Sequence, residues 1–148
     1  QLLTSTGAGS PPAFEDAPAG GPSQATQAAL EAETNQDTYA PPDLIKYSPG
    51  VAKFWGDVSY SGGTPTLDVS YNITSITDTG TGFLGVTIAI DMSTANYPIL
   101  ASFNDAGGTD NSAIYSQAAG VFVVNIYHNN GSGDRDPSGI FFTGFGDQ

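Results

Sequence analysis

The side chains able to do chemistry in this 148-residue chain are few and gather in two polar stretches. Asn104-Asp-Ala-Gly-Gly-Thr-Asp-Asn111 sets Asn104, Asp105, Asp110 and Asn111 around a glycine pair. Asn129-Asn-Gly-Ser-Gly-Asp-Arg-Asp136 offers Asn129, Asn130, Asp134, Arg135 and Asp136, and follows directly on His128, the one histidine. Oxygen donors spaced by glycines are the material of a calcium loop, yet the EF-hand spacing with its closing bidentate Glu is missing. A polar turn in which Arg135 pairs with Asp134 or Asp136 is the plainer expectation. His128 supplies one imidazole, so it could hold a transition metal only where three copies met on a threefold axis; otherwise it ends a strand at a loop rim.

Catalysis finds little to work with. A Ser-His-Asp triad would have to use His128, and no Gly-x-Ser-x-Gly turn accompanies it. Asp105 with Asp110 could be drawn as a carboxylate pair for glycan hydrolysis, but any acidic chain offers such pairs, and a domain this small would struggle to form a long substrate groove. The expectation is a non-enzymatic protein with no catalytic residue and no cofactor. The amides, carboxylates and hydroxyls of the two stretches suit reversible binding, and loops on a rigid scaffold are the usual place for it. Trp55, Tyr60, Tyr115 and Tyr127 could lend flat faces to sugar rings, although core packing is expected for each, Trp55 in particular.

Charge narrows the partners. Lys and Arg number 3 against 15 Asp and Glu, a net charge of −12. Nucleic acid requires a cationic face to displace counterions, which three positive side chains cannot build. Anionic lipid is disfavoured on the same ground, and no window of about 18 apolar residues is present to insert in a membrane. With no cysteine there is no disulfide frame, thiolate nucleophile or zinc ribbon. Only 12% of residues are charged, so the surface must be largely Ser, Thr, Asn and Gly, which suits a secreted or particle-surface protein. Gln1 opens with neither an initiator Met nor a signal pattern, so the chain reads as an excerpt of something longer or a processed product.

Two unequal parts must position these residues. Residues 1–50 hold 7 of the 10 prolines and three aromatics, Phe14, Tyr39 and Tyr47; residues 51–148 hold the other 13 aromatics and 14 of the 19 glycines. The first part has too little apolar surface to offset its ordering entropy alone. Within it, Ser23 to Glu33 is rich in helix formers, and a helix over about 23–35 is predicted with Ser23 as its cap. That helix has an alanine stripe with Leu30 as its one large residue, so it must lean on a neighbour. The second part changes period. Strands are predicted at 51–60, 66–76, 83–90, 97–103, 112–116, 121–128 and 140–145, with one slip of alternation in the second and a glycine hairpin turn at 78–82. About seven short strands with frequent turns predict an all-β protein, an antiparallel β-sandwich over 51–148, preceded by an extended segment with one short α-helix over 1–50.

Three runs carry a family resemblance: Gly50-Val-Ala-Lys-Phe-Trp55, Ser70-Tyr-Asn-Ile-Thr-Ser-Ile-Thr-Asp-Thr-Gly-Thr-Gly82 and Ile90-Asp-Met-Ser-Thr-Ala-Asn-Tyr97. Together they resemble a domain at the C-terminal end of tailed-bacteriophage tail fibres, whose pattern runs from a Lys-x-Trp first strand through a Ser-Tyr-Asn hairpin to an Ala-Asn-Tyr segment. Ala25 to Thr34, running on to Tyr39-Ala-Pro41, is similar to a short linker repeat of such fibres, and Leu2 to Phe14 to a shaft connector. The likeness is strongest over 50–97; from 106 onward only 141–146 looks similar. Phe54-Trp55 stands where one aromatic is expected, Pro41-Pro42 replaces Thr-Pro, and the loop 129–137 has no counterpart.

The resemblance implies a homotrimeric virion tail fibre component that contacts other phage tail or virion proteins through its N-terminal side. Its distal β domain would attach to a host surface glycan or protein. Three copies of residues 1–50 packed about an axis would supply the core that one copy lacks; the other expectation for this segment is a disordered linker. Two alternatives stand beside this: a structural decoration or head-fibre protein of the capsid with no receptor recognition, and a carbohydrate-binding module.

Overall fold

The computed structural model describes residues 2–4, 13–15, 22–34, 36–104, 110–128 and 133–148. In the N-terminal part, β1 (Leu2–Thr4) pairs antiparallel with β2 (Ala13–Glu15), and β3 (Ser23–Gln24) pairs parallel with β4 (Thr38–Tyr39) around the helix α1 (Gln27–Ala32). The helix is shorter than its composition predicts. Ser23 is taken by β3, so the capping falls to Thr26, whose Oγ1 accepts from the Ala29 amide at 3.2 Å; Glu33, at φ 52°, ends the helix in the left-handed region. No residue of α1 is fully buried, and it leans on the 3₁₀ turn Ile45–Tyr47.

Eight further strands follow: β5 (Phe54–Ser61), β6 (Thr64–Tyr71), β7 (Ile73–Gly80), β8 (Phe83–Ile88), β9 (Ile99–Asn104), β10 (Asp110–Ala118), β11 (Val121–His128) and β12 (Gly139–Gly144). They form two four-stranded antiparallel sheets, ordered β6-β5-β12-β9 and β10-β11-β8-β7, so the chain is an all-β sandwich. The count exceeds the predicted seven because the run 66–76 is two strands. Asn72 breaks it with φ 56°, and the chain leaves one sheet for the other there. Its side chain holds the corner: Nδ2 donates to Lys53 O (3.0 Å) and Ile90 O (3.3 Å), and Oδ1 accepts from Ile90 N (2.9 Å). The slip of alternation, between Ile73 and Ile76, falls just past that corner, where the register of β7 against β8 shifts between Ile73 and Ser75.

The inward residues of each strand fill the space between the sheets. Phe54, Val58, Ile140 and Phe142 face Leu84, Val86, Phe122, Val124 and Ile126, all buried. Rings dominate the centre. Phe122 sits 5.3 Å from Phe54 and 5.4 Å from Phe142, the latter edge to face, and Tyr97 meets Phe54 edge to face at 5.9 Å. Two glycines make room. In the β5–β12 register Phe142 pairs with Gly56 and Gly144 with Phe54, so each ring lies over a glycine of the neighbouring strand. An added Cβ at Gly56 would overlap the Phe142 ring, and one at Gly144 the Phe54 ring.

Gly56→Ala and Gly144→Ala are therefore each expected to destabilise by about 1–3 kcal/mol through overpacking. Gly50→Ala, with open space around it, should change stability by no more than about 0.5 kcal/mol. Urea midpoints at constant slope read all three.

Candidate functional site

The strand registers give the sandwich two distinct ends. At one lie Asn104 closing β9, Asp110 opening β10 opposite His128 closing β11, and Gly139 opening β12 between Ser59 and Asn104. The β5–β6 turn at Gly62–Gly63 and the β7–β8 turn at Thr81–Gly82 reach the same end, since the Asp136 carboxylate accepts from the Gly82 amide and lies 3.1 Å from where a Cβ on Gly63 would stand. The flanks of the two polar stretches singled out in the sequence are thereby brought together. Asp105, Asn129 and Asn130 lie outside the described residues.

Gly82 organises this end. Its amide donates to Asp136 Oδ1 at 2.8 Å, and its carbonyl accepts from the Ile126 amide at 2.8 Å and Asn125 Nδ2 at 3.3 Å. Asn125 Nδ2 also donates to Asp134 Oδ1 at 3.0 Å, and the Arg135 amide donates to Ile126 O at 3.2 Å. Only glycine fits, because φ is +77° and a Cβ would sit 2.8 Å from the Arg135 amide nitrogen. The segment 133–136 is thus pinned over β11 and the β7–β8 turn.

Asp134 and Asp136 accept hydrogen bonds from Asn125 Nδ2 and the Gly82 amide, which tie the loop to β11 and the β7–β8 turn. Asn104 keeps its side chain exposed while its carbonyl accepts from the Ser138 amide at 2.9 Å; Asn111 is half-buried and paired with Tyr127. Arg135 and His128 are half-buried, and the His128 amide donates to Gly133 O at 3.0 Å. Among the described residues no three His, Cys, Asp or Glu side chains gather.

The opposite end receives the N-terminal part. Lys53, only 2% exposed, donates through Nζ to Lys46 O and to Ser48 O, the latter at 3.0 Å, and its amide donates to Gly144 O at 2.8 Å. Burial holds its pKa below the ordinary lysine value, against the opposing pull of Asp147 and Glu31. Glu31 of α1, Tyr47 and Pro49 line a hollow there with Gly146 and Asp147.

The aromatics correct the sequence expectation most. Trp55 is 39% exposed, Tyr115 69% and Tyr127 37%, while Tyr60 alone of the four packs partly against the core. Tyr115 stands over Phe83 edge to face at 5.1 Å on the outer face of the β10-β11-β8-β7 sheet. Trp55, assigned to packing from sequence, lies on the outer face of the other sheet with Tyr71, Val69, Leu100 and Phe141, where a cleft of about 550 Å³ opens. The signal for this face is in the sequence. Phe54-Trp55 and Phe141-Phe142 are adjacent aromatic pairs, and neighbours on a strand point to opposite faces. If one of each pair fills the core, the other must stand outside.

Comparison with protein-family models, curated proteins and solved structures finds no match to this chain.

Two outcomes follow from the loop end. Burial first, then Asp136 and Asp78, push the Tyr60 phenol up to about 12 from an ordinary 10.0. The folded protein keeps this proton while the unfolded chain loses it, so Tyr60 makes stability fall as pH rises from 10 towards 12. Tyr60→Phe should lose less stability than the native chain between pH 9 and about 12, read by denaturation at each pH. Asp136→Ala should cost about 1.5–3 kcal/mol through its charged hydrogen bond and speed amide exchange at Gly82.

Proposed function

We propose that this chain is a non-enzymatic component of a bacteriophage tail fibre, on the virion surface, which attaches to the host cell through its β domain. The observation that carries the reading is the polarity of the sandwich. Residues 22–53 enter and pack at one end, while Asn104, Asn111 and the Asp134–Asp136 segment stand at the other. A tip domain on a stalk needs that arrangement, with assembly contacts behind and variable polar loops in front.

Assembly as a homotrimer through the stalk side agrees with where apolar side chains are left over. Tyr39 and Ile45 in the N-terminal part, and Ile90 beside Lys46 and Tyr47, are exposed. Three copies packed about an axis would cover them. The acidity is spread evenly, −5 over residues 1–50 and −7 over 51–148, so attachment would lean on hydrogen bonds and aromatic faces more than on charge.

Sedimentation equilibrium at neutral pH should give three times the 15.2 kDa chain mass; a single-chain mass overturns the trimer. Purified protein should coat host cells and block infection with little dependence on NaCl. A protein that coats no host, with infectivity unchanged by replacing residues 104–111 and 129–137, would favour the capsid-decoration alternative.

A further inference from the structure

We infer that the outer face of the β6-β5-β12-β9 sheet binds a neutral polyhydroxylated ligand, a glycan built of uncharged sugars. This stands on the cleft alone and does not rest on the virion reading. The register builds it. Trp55 on β5 lies opposite Tyr71 on β6 and Thr143 on β12; two residues along, Asp57 lies opposite Phe141 on β12, with Ser102 next on β9. Tyr71, Trp55 and Phe141 therefore present three rings, 48%, 39% and 43% exposed, on successive strands about 4.8 Å apart. The cleft of about 550 Å³ beside them is within the size range of small-molecule sites.

The chemistry of the occupant follows from what the cleft offers and lacks. Flat rings cover the C–H face of a pyranose, whose hydroxyls then need acceptors at its edge. Asp57, half-buried between Trp55 and Phe141, is an acceptor that forms no hydrogen bond or ion pair among the described residues. Anything that covers it must supply donors, or the stranded carboxylate opposes binding. Sugar hydroxyls supply them without charge, and Ser102 and Thr143 add hydroxyls at the rim. A second copy of this chain is a poor occupant, because it brings a net charge of −12 against the Asp57 carboxylate. Acidic glycans would be repelled by Asp57 itself.

Trp55 is the one tryptophan in the chain, so its emission reads this cleft directly. The whole chain is titrated with neutral oligomers of glucose, galactose, mannose and N-acetylglucosamine, and with sialylated and sulfated counterparts. At least one neutral oligomer should shift Trp55 emission saturably, with little effect of NaCl, and the acidic ones should not. Asp57→Asn should weaken binding about tenfold, equivalent to about 1.4 kcal/mol. Phe141→Ser, which removes a ring and keeps the carboxylate, should weaken it similarly, and Tyr115→Ala on the other sheet should leave it unchanged. If no neutral oligomer moves the emission or is retained on a glycan array by the folded chain, the inference is overturned. The same holds if Trp55 emission shifts only with protein concentration as the mass rises, which would give the face to a second copy. A protein that is trimeric and coats host cells but binds no neutral glycan overturns the cleft and leaves the fibre reading standing.

Discussion

Two phenyl rings laid over two glycines fix most of what this molecule can present to its surroundings. Phe54 covers Gly144 and Phe142 covers Gly56, each across the same pair of hydrogen-bonded strands. A slip of one residue between β5 and β12 would set a ring against a side chain and turn the apolar residues of one strand to solvent. Burying a phenylalanine contributes about 1.5–3 kcal/mol, and these two join Phe122 from the facing sheet to couple both layers. The interlock therefore sets register and sheet packing together.

The same parity decides the outside. With 54, 56, 142 and 144 turned inward, 55, 57, 141 and 143 must turn outward, and β6 and β9 follow by pairing. The exposed strip of Tyr71, Trp55 and Phe141 around Asp57 is thus a consequence of how the core closes. Most single exposed apolar residues need no explanation, but several large ones contiguous on one sheet face form a patch that the core packing alone does not call for.

The loop end obeys a different constraint. There the chain must satisfy backbone groups around a turn that no side chain could occupy, and Gly82, Asn125, Asp134 and Asp136 do so as one network. Two carboxylates there, Asp134 and Asp136, help hold a segment in place. At the other end Asn72 and Lys53 play the comparable part, one turning the chain between sheets and the other tying the incoming segment to the sandwich. Buried polar groups are costly unless satisfied, and these side chains meet that cost by bonding the backbone groups around them.

The sequence by itself determined the class of fold. Period-two alternation and glycine turns over 51–148 demand strands that bury one face, and the proline-rich first third cannot do so. It also showed that these residues hold no thiol and too few positive side chains for a broad cationic face, because those depend on composition alone. The start of α1 was less legible, since the β3–β4 pairing that captures Ser23 joins residues fifteen apart in sequence. Only the tertiary structure decided which aromatic of each adjacent pair faces inward, which aspartates are engaged and which strand ends share a loop cluster. Alternation says that neighbours on a strand face opposite ways; it does not say which way is in. That choice is made by glycines and rings on partner strands distant in sequence, and it leaves Trp55 and Asp57 on the surface.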